Sequence, residues 1–457
     1  MKRKIWSVLT AVILILTLLA GCSGGAGEDT GNTAQSPATN DSGSGQTNNG
    51  DAQPEPGNDP VTISFWHIHS DGDMKDTMTE LLADFMKQHP DITVNELGIN
   101  FWDYWTKLST AMAGGSGPDL AMNDTSTLQT RAESGAILNL NEFIQKDSFN
   151  TEDFFPVLID KMKYNDGIYG LPSDTDVRVL YYNKTAFREA NLDPEKPPAN
   201  WDELAEYAEK LTVLNDSNLI ERIGFSPALG NIHLWMLAWA NGGDFWDDEG
   251  KPTYDRPENL EALQWMKTVQ DKYGVKAMSA FNSQASALQH SPFIAGKAAM
   301  IVDVNNLYTD IKKYAPDLDF GVAPIPYTKQ PATWSAGFDY EIVNNHDDKR
   351  AAAAWELLKY LTSPEVQKKI HQVSGSLVSN MKAAKAPEFM ADPVWEMIVG
   401  QMEHSRFIEY IPASPSWHAE LDQVVQSVLN SGVDPQKALQ DAQKNAETKL
   451  KNYVQTK

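Results

Sequence analysis

The chain has a single cysteine, Cys22, in 457 residues. One cysteine cannot close an internal disulfide, so in an exported chain it needs another job. Basic residues are scarce as well: 38 Lys and Arg face 62 Asp and Glu, a formal charge of −24. That surplus argues against nucleic acid and against polyanionic ligands in general. Past Leu19 no stretch is long and apolar enough to span a membrane. There are nine histidines, and apart from His67 and His69 in "FWHIHSDGD" none stand at metal-ligand spacing. A barrel hydrolase needs later histidines and carboxylates at its strand ends, so neither a metal nor a cofactor is expected.

What is present begins with Lys2, Arg3 and Lys4, followed by the apolar run Ile5 to Leu19 and then Leu19-Ala20-Gly21-Cys22. A basic start, a short apolar core and small residues before the cut predict a secretory leader over 1–21. The Leu-Ala-Gly-Cys ending resembles a bacterial lipobox, which implies lipidation of Cys22 and a membrane anchor on the extracytoplasmic face, in a cell of Gram-positive type. Residues 22–60 contain no large apolar side chain after Cys22 and read as a flexible tether. The remaining 61–457, about 400 residues, exceeds what one core serves, so two lobes are expected. Thirteen tryptophans, several beside turns, suit a ligand with flat apolar patches and a polar rim.

Val61 to Trp66 reads as a strand, and Met78, Leu81, Leu82 and Phe85 mark one face of a helix that Pro90 ends. Ile92 and Val94 alternate as a second strand, and 102–112 reads as a second helix before "AGGSGPDLAM". Strand–helix–strand repetition implies an α/β fold with largely parallel sheets, whose ligands sit beyond the carboxyl ends of the strands. Further strands are expected in "YGLPSDTDVRVLYYNK", "GKAAMIVDVNN", "FGVAPIP" and "WSAGFDYEIVNN". Helices are expected at 201–211, 232–240, 258–272, on both sides of Pro364, and at 417–450.

The ordered segments "GGSGPDLAM", "YGLPSDTDVRVLYYNK", "ANGGDF", "GKAAMIVDV", "FGVAPIP" and "AAAAWELLKYLTSPEVQKKI" resemble the extracellular solute-binding proteins of ATP-binding-cassette importers, the maltose-binding-protein-like family 1. The resemblance runs over essentially all of 61–457. It implies an α/β, two-lobed periplasmic-binding-protein-like fold of type II. Each lobe would be a mostly parallel sheet flanked by helices, joined by a multi-strand hinge. Lobe one would hold about 61–172 and 336–361, lobe two about 178–331 and 364–457. It also implies a monomer without enzymatic activity, partnered by transporter permease subunits, closing on a polar solute.

Candidate ligand residues follow the strand ends. Trp66 and His67 leave the first strand; Trp66 reads equally as core, His67 as a hydroxyl partner, and "SDGD" as the turn capping the next helix. Asn123 and Asp124 end the third, where the family has an aromatic that this chain lacks; an Asx cap is the plainer reading. Asp176 stands where the resemblance implies an acidic sugar ligand. Asp174 and Arg178 alternate with it on one side of the strand, either as carboxylates gripping paired hydroxyls or as an Asp–Arg ion pair. Asp303 and Asn305 close another strand. Trp334, Gly337, Phe338 and Tyr340 mark a second crossing, with small residues that admit a ligand to the backbone. Trp417 matches the family's stacking tryptophan, and Asn241 lies in a tight turn. These imply a neutral oligosaccharide as ligand. The alternatives are a glycerol-phosphate or other small polar solute, a hydrolase using His67 and His69, or a glycosidase with two carboxylates.

Overall fold

A computed structural model describes residues 60–456. The expected leader, Cys22 and all of the tether but Pro60 lie outside the described residues. Among the described residues, no helix is long and apolar enough to cross a membrane.

The first three strands are β1 (Val61–His67), β2 (Ile92–Gly98) and β3 (Leu120–Asp124). A small hairpin, β4 (Lys163–Tyr164) and β5 (Gly167–Ile168), precedes β6 (Leu171–Thr175) and β7 (Arg178–Asn183). A second hairpin is β8 (Val213–Leu214) and β9 (Ile220–Arg222). Then come β10 (Met300–Val304), β11 (Phe320–Ala323), β12 (Thr333–Trp334), β13 (Gly337–Ile342), β14 (Leu377–Val378) and β15 (Ser405–Arg406).

One six-stranded sheet runs β14-β6-β13-β3-β1-β2, and a three-stranded sheet runs β10-β7-β11. The strand directions differ from the mostly parallel sheets expected. In the first sheet β1 with β2 and β1 with β3 are parallel, and the pairings of β13, β6 and β14 are antiparallel. Both pairings of the second sheet are antiparallel. For β13 the reason is the crossing: it enters the first sheet at the carboxyl ends of β3 and β6 and so runs back against both.

Helix α1 (Gly72–Gln88) buries Met78, Leu81, Leu82 and Phe85, the four residues whose spacing marked its face. Gly72 takes φ +68 to turn the chain into it, and Asp71 precedes it without a capping side-chain bond. Helix α2 (Phe101–Ala113) lies beyond β2, and α3 (Leu128–Glu133) follows β3. Helices at 201–211 and 257–271 form where expected, and the tail splits into 417–431 and 435–456 at Gly432, φ +69.

"YGLPSDTDVRVLYYNK" is two strands, not one. Between them the Asp176 amide donates to Ala336 O (3.1 Å) and the Val177 amide to Asn305 Oδ1 (3.0 Å), so the chain leaves one sheet and enters the other. Residues 364–404 also depart from the expected course. Their strand β14 pairs with β6 in the first sheet, and Lys369 reaches Glu80 of α1 at 3.0 Å. Val366, Ile370, Leu377 and Trp395 share one apolar cluster with Val177, Val179 and Tyr181 of the crossing. That core backs the crossing, so β7 presents its other face, with Arg178, forward.

Candidate ligand-binding cleft

At the end of β1 the pleat decides the roles. Ile63, Phe65 and His67 alternate onto the buried face, and His67 is wholly buried. Its Nδ1 accepts from the His69 amide at 3.2 Å, which leaves Nε2 to donate to Glu96 Oε1 at 3.0 Å. Lys75 (2.6 Å) and Thr79 (3.0 Å) also donate to Glu96. Burial pushes the Glu96 carboxyl up, but its bonds from His67, Lys75 and Thr79 outweigh that and hold it near about 2. Burial, then the neighbouring His67, pulls His69 down to about 4. His67 is therefore a core histidine and lines no cleft, which corrects the expectation. Trp66 points to the other face and is half-buried beside Tyr104, Leu108 and Ala121 under α2.

At the end of β3, Asn123 is buried; its Nδ2 donates to Glu341 Oε2 at 3.0 Å. Arg131 of α3 closes on the same carboxylate through Nε at 2.6 Å. Asp124 Oδ1 accepts from the Ser126 amide at 2.7 Å, the Asx cap read from sequence. Tyr340 is another correction: it is buried in the first core, its ring edge against Phe65 at 5.8 Å. Phe338 stacks on Trp105 of α2, centroids 6.1 Å apart and 11° from parallel.

The crossing itself gathers most of the predicted residues. Asp176 accepts from the Ala336 amide at 2.8 Å and from Arg178 Nη1. The Arg178 guanidinium lies 3.7 Å over the Trp334 ring, and Nη1 also donates to Trp334 O at 3.1 Å. Arg178 Nε has no protein partner. Asp176, in the link between β6 and β7, and Arg178, at the start of β7, thus form an ion pair. Asp174 accepts from the Phe338 amide at 3.2 Å, and burial pushes its carboxyl up to about 7. Burial raises Asp176 as well, against the pull of Arg178, and raises Asp303. A Cβ on Gly337 would stand 2.3 Å from Asp174 O, so only glycine lets β13 start this close to β6. Asn305 is buried and clamps the crossing through Val177; it has no side chain to offer a ligand. Asp303 accepts from Asn231 Nδ2 beside it.

Two more expectations fail on packing. Trp417 is 2% exposed, with Nε1 donating to Glu409 O (3.1 Å) and its ring stacked on Phe245, so it is core and no open platform. Asn241 closes the end of the helix Leu234–Ala240, donating to Glu258 O (3.0 Å) and Glu261 (2.8 Å) while Thr328 donates to it (2.8 Å).

Sequence reasoning did not single out two further groups, one around Trp334 and one around Lys161 and Tyr410. His233 stacks on Trp235 at 4.2 Å and meets Trp334 edge-on at 4.9 Å, its Nδ1 3.1 Å from Asp422. Lys161 is buried and donates to Ile408 O at 2.8 Å; burial pulls it down to about 8. Tyr410 donates to Glu133 at 2.6 Å. A groove of about 730 Å³ runs between the β4–β5 hairpin and residues 407–413, lined by Lys161, Tyr164, Phe407 and Tyr410 among others. Scattered single residues of this kind carry no spacing signal. Among the described residues no group of three or more His, Cys, Asp or Glu could hold a metal ion.

A family model described as bacterial extracellular solute-binding protein matches residues 80–396. The chain belongs to that family. Its members bind solutes and are not enzymes. A maltotriose-binding protein of Pyrococcus abyssi is 26% identical over 367 residues, covering 78% of this chain and 74% of the relative. Among solved structures, CpMnBP1 with mannotriose bound is 28% identical, with a TM-score of 0.73 over 84% of this chain and all of that one. A solute-binding protein from Thermotoga lettingae bound with alpha-D-tagatose is 28% identical, with a TM-score of 0.71 over 85% and 99%. The two-lobed fold of these proteins is the fold of this chain.

Proposed function

We propose that this solute-binding protein takes a neutral oligosaccharide between its lobes and hands it to the permease subunits of an ATP-binding-cassette importer. The crossing carries the reading. Asp174 and Asp176 stand at the crossing, where two carboxylates suit the vicinal hydroxyls of a sugar, next to Trp334, one face of which the Arg178 guanidinium covers. Asp303 and Asn231 extend the polar side. The likeness to a protein solved with mannotriose and to a maltotriose-binding protein supports it. An sn-glycerol-3-phosphate-binding protein of Yersinia enterocolitica, 23% identical, points to the rival ligand. Against a phosphate stand the chain's charge of −24 and an Arg178 already held by Asp176. In this reading the protein is a monomer, and Cys22 with its tether holds it outside the membrane.

Thermal melts and tryptophan fluorescence with mannotriose, maltotriose, tagatose and sn-glycerol-3-phosphate test the ligand. At about 100 times Kd a bound sugar adds about 2.7 kcal/mol of stability. A shift with the phosphate ester alone would sink the neutral-sugar reading. Membrane association that persists in Cys22→Ser would sink the anchor.

A further inference from the structure

β13 is an inner strand of the first sheet, with β3 on one side and β6 on the other. Its first residues, Gly337 and Phe338, stand at the crossing, and the register slips between Phe338 and Asp339. From there the pleat sends Tyr340 into the first core and puts Asp339 and Glu341 together on the opposite face, toward Arg131 of α3. Both acids are wholly buried.

Their partners differ. Glu341 receives Arg131 Nε at 2.6 Å, Arg131 Nη2, and Asn123 Nδ2 at 3.0 Å. Neither carboxyl oxygen of Asp339 receives a donor. Its neighbour on β3 is Asn123, which is spent on Glu341, and its neighbour on β6 is Pro172, which has no amide hydrogen. The charged groups around it are engaged elsewhere. Arg131 Nη1 goes to Thr127 and Nη2 also to Asp124 O, while Lys161, on the helix Pro156–Lys161, gives its ammonium to Ile408 O. Tyr104 of α2 donates its hydroxyl to Met122 O at 2.6 Å, and Asp124 at the end of β3 adds negative charge. A carboxylate sealed from water without a single donor takes up a proton instead. As an acid, Asp339 has one O–H to give, and the Glu341 carboxylate is within its reach.

We propose that Asp339 is a neutral acid in the folded protein, donating its proton to the ionised Glu341, and that this proton locks β13 between β3 and β6. Asp339 is thereby a positioning residue: it holds the strand whose Phe338 amide meets Asp174. Burial first, then Glu341, pushes its carboxyl well above the ordinary range, against the pull of Arg131. The lock is therefore full below about 4 and is lost as pH rises through the raised value, when the proton leaves to solvent and two buried carboxylates face Arg131.

The test uses the full chain carrying Asp174→Asn, so that Asp174 adds no proton of its own. Its infrared spectrum at pH 7 should show a protonated-carboxyl band that fades as pH rises, and adding Asp339→Asn should remove that band. Asn keeps a donor toward Glu341, so the denaturation midpoint should fall less between pH 6 and pH 9 with Asp339→Asn than without it. Glu341→Gln frees Arg131 for Asp339, which then ionises, so this variant should lose the band as well. A band that survives either substitution overturns the proposal. So do parallel pH curves with and without Asp339→Asn.

Discussion

At the end of β1 both ring nitrogens of His67 are engaged and Glu96 gathers three donors, whereas at the β6–β7 crossing Arg178 Nε is unpartnered and Asp174 and Asp176 are held above their ordinary range. Both places put charged or titratable side chains at a strand end. In the first, His67 and Glu96 are occupied by each other, by the His69 amide and by Lys75 and Thr79, so neither is left for a ligand. In the second, Arg178 is buried at the crossing with Nε unpartnered, beside the partly buried Asp176. Hydrogen-bonding capacity left unfilled at a cleft is what a solute can use.

The comparison can be broken in several ways, the largest first. Arg178→Ala leaves Asp176 buried without its cation and uncovers Trp334; it should cost about 3–5 kcal/mol, read by chemical denaturation. A loss below about 1 kcal/mol would mean that the pair is already hydrated and the crossing is no site of stored charge. His67→Gln should cost about 1–3 kcal/mol of stability and leave sugar affinity within about twofold. A tenfold loss of affinity in a folded His67→Gln protein would erase the distinction between the two strand ends.

The smallest effect is in pH. Asp174 has a folded pKa raised to about 7 against an ordinary value near 3.8, so the native state holds its proton more tightly than the unfolded chain. Its contribution is full below about 4 and is lost as pH rises through about 7. Asp174→Asn keeps an acceptor for the Phe338 amide and removes this loss. Relative to wild type, it should therefore gain about 1–2 kcal/mol of stability between pH 5 and pH 8. A gain in the opposite direction would show that Asp174 is ionised and paired in the native state. His69, lowered to about 4, works the other way and loses stability as pH falls below about 6.5.

Much of the site was legible along the chain, and the failures share one cause. Asp174, Asp176 and Arg178 read by alternation as one side of a single strand; the structure breaks that strand after Thr175, yet Asp176 still meets Arg178 and Asp174 the Phe338 amide at the crossing. The same alternation puts His67 with Ile63 and Phe65, yet its place at a strand end suggested the cleft. Tyr340 and Trp417 were assigned to the cleft from their position alone, but a ring beside Phe65 or Phe245 is buried by partners distant in sequence. The exposure of Trp102 went unnoticed because helical spacing says which face a residue takes and not whether another element covers that face.

The sequence by itself determined the α/β class, the face of α1, the crossing residues and the solute-binding family, because side-chain period and segment order are local properties of the chain. Only the tertiary structure decided the antiparallel joins, the place of 364–404, and which aromatic rings are core and which remain in water. Burial depends on what arrives from elsewhere: Glu96 occupies His67, Asn305 fixes Val177, and among the described residues no element covers the indole of Trp102.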